Sequence, residues 1–315
     1  MNFKLKLAFL SFIIFSATIN VFSQEKESAV KINYQVNTNK SVDFNFEKTD
    51  EGTYTVMITF SSLTNTMGSN VQIVTVKGFG GRATTLTPTN KEQGVGFSYT
   101  YSYIRGKLNP KFNKDFVYLL PCKNGGKVKV GEASFVGATY FGNTTPDDWK
   151  VYRFYTKTED TVTVVRKGIV VDIVGSNDTD GSEAIAFTSK TNSITVEHID
   201  GTLATYTGFK KASIGVKVGQ TVYPGTALGL NTKTNGNAVY GISLMLTYLK
   251  STDFGNLKNR SLSSSKSFYG FITPHFCTNE SADVTLISQQ DYTSTYNPEI
   301  IKKEFSKKEL KMNLK

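Results

Sequence analysis

The sequence predicts an all-β protein: a sandwich of immunoglobulin-like size first, a second β-rich unit after it, and one short helix near residue 298. Three observations carry this. Apolar residues alternate with polar ones at period two over short runs. Turn clusters rich in Gly, Pro, Asn and Asp separate those runs. No stretch before residue 298 repeats at a helical period.

The first residues read as a secretory signal peptide. Lys4 and Lys6 precede an apolar run over residues 7–22, and Val21 and Ser23 occupy the positions that signal peptidase reads. The run holds Ser, Thr and Asn and falls short of the ~20 apolar residues a spanning helix needs. Cleavage is expected after Ser23, giving a secreted or periplasmic protein, and no Cys stands at the junction for lipoprotein acylation.

Residues 24–117 form the expected first domain. Val42, Phe44 and Phe46 alternate with polar residues, as do Tyr54, Val56, Ile58 and Phe60, and Val71, Ile73 and Val76 follow more loosely. Short strands at such spacing suit a sandwich. Phe97, Tyr99, Tyr101 and Tyr103 put four aromatics on one strand face, which suits core or cross-strand packing better than a sugar platform.

The second half continues in strands. Residues 161–173 read as two strands with a turn at Gly168, residues 193–197 and 202–206 flank the hairpin turn Asp200-Gly201, and residues 242–249 form another strand. Asn297-Pro298-Glu299 is a helix start: a capping side chain, Pro at the first helical position and an acid at the positive end of the dipole. Residues 300–315 then set six Lys against Glu304 and Glu309, half the net charge that remains once Lys4 and Lys6 leave. A solvated, frayed helix over 298–315 is the simplest expectation, with docking to an anionic envelope surface as the functional alternative.

Composition narrows the chemistry. The 315 residues include two His and two Cys, too few for two zinc sites, a disulfide-rich scaffold, a CxxC pair or a haem-attachment motif. The net charge of +10 suits anionic partners. Outside the cytoplasm these are surface polyanions, not nucleic acid. Cys122 and Cys277 are the disulfide candidate, two separately buried thiols being the alternative. Gly78-Phe79-Gly80-Gly81 loosely fits a dinucleotide loop, but no helix follows it. There is no G-x-S-x-G elbow, Walker loop or H-E-x-x-H.

Four blocks in order remain: residues 160–171 (DTVTVVRKGIVV), 193–202 (SITVEHIDGT) with Tyr206, 216–222 (VKVGQTV) and 224–229 (PGTALG), preceded by Tyr118-Leu119-Leu120-Pro121. Their order and spacing resemble the antiparallel β core of the lysostaphin/LytM-type zinc metallopeptidases over residues 118–250. The resemblance implies a LytM-like domain over 118–275, a zinc site and a role at peptidoglycan. A catalytic zinc takes three protein ligands and one open position. At the matching positions this chain departs from the family throughout. Arg153 stands where the ligand Asp is expected, and no His precedes His198, leaving Trp149 or a neighbour at the first ligand. Gly208 replaces the catalytic His after Tyr206, and Ser243 and Met245 replace both His of the last strand. His198 matches a His the family does not use as a ligand, and His275 lies beyond the matched core.

The resemblance therefore implies a degenerate, non-catalytic member without zinc, which binds peptidoglycan or regulates a cell-wall hydrolase. Arg153, Trp149 and Tyr206 are its candidate ligand-binding residues. Two alternatives stay open: an active zinc metalloendopeptidase with another ligand set, for instance around His198, His275 and Cys277, and an envelope adhesion or structural module.

Overall fold

The computed structural model describes residues 28–135, 145–178, 191–233, 239–252 and 267–312; the signal-peptide reading of residues 1–23 lies outside them. No helix among the described residues is long and apolar enough to cross a membrane. Strand dominates, and the two helices are short.

The first six strands are β1 (Val30–Val36), β2 (Val42–Lys48), β3 (Tyr54–Thr64), β4 (Val71–Val76), β5 (Gly80–Leu86) and β6 (Gly96–Arg105). They form two antiparallel three-stranded sheets, ordered β1-β2-β5 and β4-β3-β6. Alternation decides what lies between the sheets: Val42, Phe44 and Phe46 of β2 meet Val56, Ile58 and Phe60 of β3 in one core. The aromatic strand face packs on that core. Tyr99 Oη donates to the Ile32 carbonyl at 3.0 Å, and Tyr103 Oη accepts from the Ala29 amide at 3.0 Å.

The remaining strands are β7 (Val117–Leu119), β8 (Lys127–Glu132), β9 (Tyr152–Thr156), β10 (Thr161–Thr163), β11 (Gly168–Val174), β12 (Ser193–Glu197), β13 (Leu203–Thr207), β14 (Thr221–Val222), β15 (Ala227–Leu230), β16 (Thr232–Lys233), β17 (Tyr240–Leu249), β18 (Tyr269–Phe271), β19 (His275–Cys277) and β20 (Asp291–Thr293). The main sheet runs β14-β11-β12-β13-β17-β9-β8-β20, with β16 and β18 also paired to β17. One face is apolar. Tyr152, Phe154, Ile194, Ala204, Tyr206, Ile242 and Leu244 point into a single core that also takes Val164, Val165, Leu228 and Phe276. Burying that area, at ~25 cal/mol per Å² of apolar surface, is the main force holding the sheet.

The two halves meet through a buried carboxylate. Glu197, at the end of β12, accepts from the Thr53 amide at 2.7 Å and from its hydroxyl at 2.5 Å. Gly52, at φ +84°, lets the backbone approach: a Cβ there would lie 2.7 Å from Glu197 Oε2.

Two expectations are corrected here. Cys122 and Cys277 are separate buried thiols, not a disulfide. Strand β19 pairs in parallel with β7 and sets Cys277 opposite Leu119, while Cys122 lies beyond Pro121. Burial raises both thiols, Cys122 to about 12, so neither is a ready nucleophile. The C-terminal segment is not a frayed, solvated helix. It forms α1 (Pro298–Lys302), capped by Asn297 Oδ1 on the Glu299 amide at 2.9 Å, and α2 (Lys307–Met312), and it docks on the second half through Glu304 and Glu309.

Candidate functional site

The opposite face of the main sheet is polar, and period two explains it. In β13, Ala204 and Tyr206 point inward, so Thr205 and Thr207 point outward; in β17, Leu244 and Leu246 inward leave Ser243 and Met245 outward; in β9, Tyr152 and Phe154 inward leave Arg153 outward. Register then lines these residues up. Arg153 pairs with Ser243, and Ser243 with Thr207, across three adjacent strands. In the next row Met245 pairs with Thr205, Thr205 with Thr195, and Thr195 with Asp172. The Thr195 and Thr205 hydroxyls lie 3.3 Å apart.

The face is graded in charge. Lys129 and Arg153 stand at one side and Asp172 at the other, with hydroxyls between them. Arg153 is exposed, and among the described residues no acid pairs with it. Gly131, registered beside Arg153 on β8, leaves room for the Tyr155 ring: a Cβ at Gly131 would lie 2.9 Å from Tyr155 Cε2. Gly208 closes the row at φ +116°, its N–H on the Asn192 carbonyl at 2.9 Å.

Of the residues singled out from sequence, the structure gathers Arg153, Ser243 and Met245 on one face, with Gly208 directly after Thr207. Two others play different parts. Tyr206 sits on the buried face and is wholly excluded from solvent, and its Oη accepts the Val165 amide at 2.9 Å. Burial pushes that phenol up, so Tyr206 is a core residue and not a ligand-binding one. Trp149 is wedged between Phe135 and Phe271, with ring centroids 4.8 and 4.7 Å away, and its Nε1–H donates to the Ala133 carbonyl at 2.8 Å. Its contacts are those of a packing residue. Sequence reasoning missed Thr195, Thr205 and Thr207: alternation in S-I-T-V-E and L-A-T-Y-T puts each on the face opposite Ile194, Ala204 and Tyr206, but which face is the core is set by the fold.

Zinc does not fit this face. Arg153, Ser243, Met245 and Thr207 offer a fixed cation, a thioether and two hydroxyls, where the metal requires deprotonated carboxylate, thiolate or neutral imidazole. Among the described residues no three His, Cys, Asp or Glu gather as a metal site. His275 is held at the surface by Asp283, at 2.6 Å. His198 is buried at the β12–β13 hairpin. Thr202 Oγ1 donates to Asp200 Oδ1 at 2.7 Å and so accepts from His198 Nδ1–H at 2.9 Å, which leaves Nε2 bare and without a partner. Burial, reinforced by the nearby Arg166, holds this imidazole neutral well below the usual histidine range.

A second polar cluster, which sequence reasoning did not anticipate, lies beyond that hairpin. Arg166 is buried, yet it reaches Asp200 Oδ2 at 2.8 Å and grips Glu304 with a two-pronged contact at 2.6 and 3.0 Å. Its guanidinium stacks 3.9 Å from the Phe116 ring centroid. Lys167 bonds Glu309 at 2.7 Å and the Glu304 carbonyl at 3.0 Å, and Tyr223 Oη donates to Glu309 at 2.6 Å.

With this geometry in view, the chain has no match among protein-family models or curated proteins. Solved structures similar to it include two peptidases. One is a putative peptidase M23 from Pseudomonas aeruginosa, 13% identical, covering 61% of this chain and 82% of that one at a TM-score of 0.27. The other is a zinc containing peptidase from Vibrio cholerae, 12% identical, covering 69% and 75% at the same TM-score of 0.27. At that score neither likeness carries an argument about this chain, whose class is defined by its own fold: an all-β protein with a broad, polar, hydroxyl-lined sheet face.

Proposed function

We propose that this chain is a non-catalytic binding protein of the cell envelope, built on a lysostaphin/LytM-like sheet, which holds peptidoglycan stem peptides or a cell-wall hydrolase on the face bearing Arg153. The observation that carries the reading is the row Arg153, Ser243, Thr207. Two positions that the sequence resemblance marks for metal and catalysis, Arg153 and Ser243, are direct partners on adjacent strands and carry a cation and a hydroxyl instead; Thr207, which the resemblance does not mark, adds a second hydroxyl to the row. An exposed arginine with no acid beside it is suited to the two oxygens of a peptide carboxylate. The threonine and serine hydroxyls donate or accept as a peptide backbone requires. Nothing in this set lowers the pKa of water, so binding is the activity proposed. Export through residues 1–23 is part of the same proposal.

Sedimentation with insoluble peptidoglycan tests it. The purified chain is expected to co-sediment equally with and without chelator, and Arg153→Glu to stay in solution. Co-sedimentation that Arg153→Glu leaves unchanged would overturn the assignment of this face.

A further inference from the structure

The docked C-terminal segment displays the chemistry its seat recognises. Two carboxylates, Glu304 and Glu309, enter a cradle of Arg166, Lys167 and Tyr223, while Phe305 packs on Tyr223 with ring centroids 5.1 Å apart. The seat is built to outlast its occupant. If Glu304 leaves, Arg166 keeps Asp200 and the Phe116 ring, so its buried charge is never unpaired. None of residues 298–311 is fully buried, and the segment is held by its two acids together with Phe305 on Tyr223 and Lys303 over Phe116. Both acids turn inward; Lys302, Lys307, Lys308 and Lys311 are exposed, and Lys303 lays its ammonium 4.7 Å from the Phe116 ring centroid. The cations that stay with the seat are Arg166 and Lys167, which attract acidic chains.

We propose that the cradle of Arg166, Lys167, Phe116 and Tyr223 is a binding site for acidic peptide segments of partner proteins, which residues 304–309 occupy in cis and which a partner segment with the same two carboxylates takes over by displacement. Sequence order supports the exchange. Glu304-Phe305-Ser306-Lys307-Lys308-Glu309 is a contiguous six-residue stretch, short enough for an unstructured partner segment to reproduce. Ser306 and Glu309 also cap α2 reciprocally, with the Ser306 amide on Glu309 at 2.6 Å and the Glu309 amide on Ser306 Oγ at 3.3 Å, so the stretch folds into its bound shape locally.

The test uses the full chain and a fluorescein-labelled hexapeptide, E-F-S-D-D-E, which keeps both anchor carboxylates and replaces the lysines with acids. A control, Q-F-S-D-D-Q, loses only the anchors. By fluorescence anisotropy the first peptide is expected to bind, about tenfold or more tighter to the chain carrying Glu304→Gln and Glu309→Gln, whose resident segment is weakened, and the control to bind about tenfold or more weaker. Circular dichroism checks that the variant is folded. Should the double variant fail to fold, Glu309→Gln alone leaves every Arg166 contact intact and is expected to give a smaller gain in the same direction. Equal binding of both peptides would reduce the site to attraction by surface lysines, and no gain in the folded variants would mean that the segment is fixed; either result overturns the proposal.

Discussion

Arg153 and Arg166 lie thirteen residues apart in one chain and show what burial does to the same side chain. Arg153 projects from an open sheet face with no acid beside it among the described residues, between Ser243 on one neighbouring strand and Gly131 on the other. Arg166 is buried, shared by Asp200 and Glu304, and stacked on Phe116. A buried guanidinium must be paired or the fold loses it, so Arg166 is tied to structure and to the segment it holds. An exposed one contributes little to folding and is free to meet a ligand. The difference teaches where to look: the exposed arginine stands on the face proposed to bind, and the buried one marks a seat already in use.

The contrast breaks first at Arg166. Arg166→Leu removes the buried partner of two half-buried carboxylates and is expected to destabilise the chain by about 3–5 kcal/mol in chemical denaturation. A loss under about 1 kcal/mol would make the pair a surface contact in energetic terms. Next, Tyr206→Phe strips the acceptor from the buried Val165 amide, and a loss of about 1–3 kcal/mol is expected in the same measurement. The smallest effect on stability belongs to Arg153→Ala, within about 0.5 kcal/mol, although the same substitution is expected to weaken binding to peptidoglycan peptides in an affinity titration.

The docked segment adds a pH signature. Hydrogen bonds from Lys167, Tyr223 and Ser306 hold the Glu309 carboxyl well below its ordinary value of 4.5. A carboxyl depressed on folding stabilises the native state above its unfolded pKa, and that contribution is lost as pH falls below it. The melting-temperature gap between the chain and Glu309→Gln is therefore expected to be full near neutral pH and to close steadily below about pH 4.5. A gap that widens in acid would reverse the sign and discard the ion pair as the cause.

Much of the fold was legible because strand alternation is a local property. Phe44 and Phe46, or Val56 and Ile58, declare an inward face in the sequence alone, and Asp200-Gly201 declares a turn that the structure builds with Gly201 at φ +90°. Across the site, the spacing of the resembled blocks places Arg153 and Ser243 together although ninety residues separate them, and the strand register makes them direct partners. What stayed illegible was tertiary. Nothing local distinguishes Tyr206, turned inward, from Thr205 and Thr207, turned outward, as a ligand contact until the core side of β13 is known. Nor does a lysine-rich tail announce that its two glutamates will be drawn 138 residues back to Arg166 and 142 back to Lys167. The thiols Cys122 and Cys277 illustrate the same limit, since only the β7–β19 register shows them apart.

The central claim is that the sheet face bearing Arg153 binds and does not hold zinc. Titrating Zn²⁺ into the metal-free purified chain, with cleavage of peptide cross-links followed in the same samples, tests it most directly. The account predicts no saturable uptake and no cleavage; uptake of one zinc per chain with chelator-sensitive cleavage would contradict it.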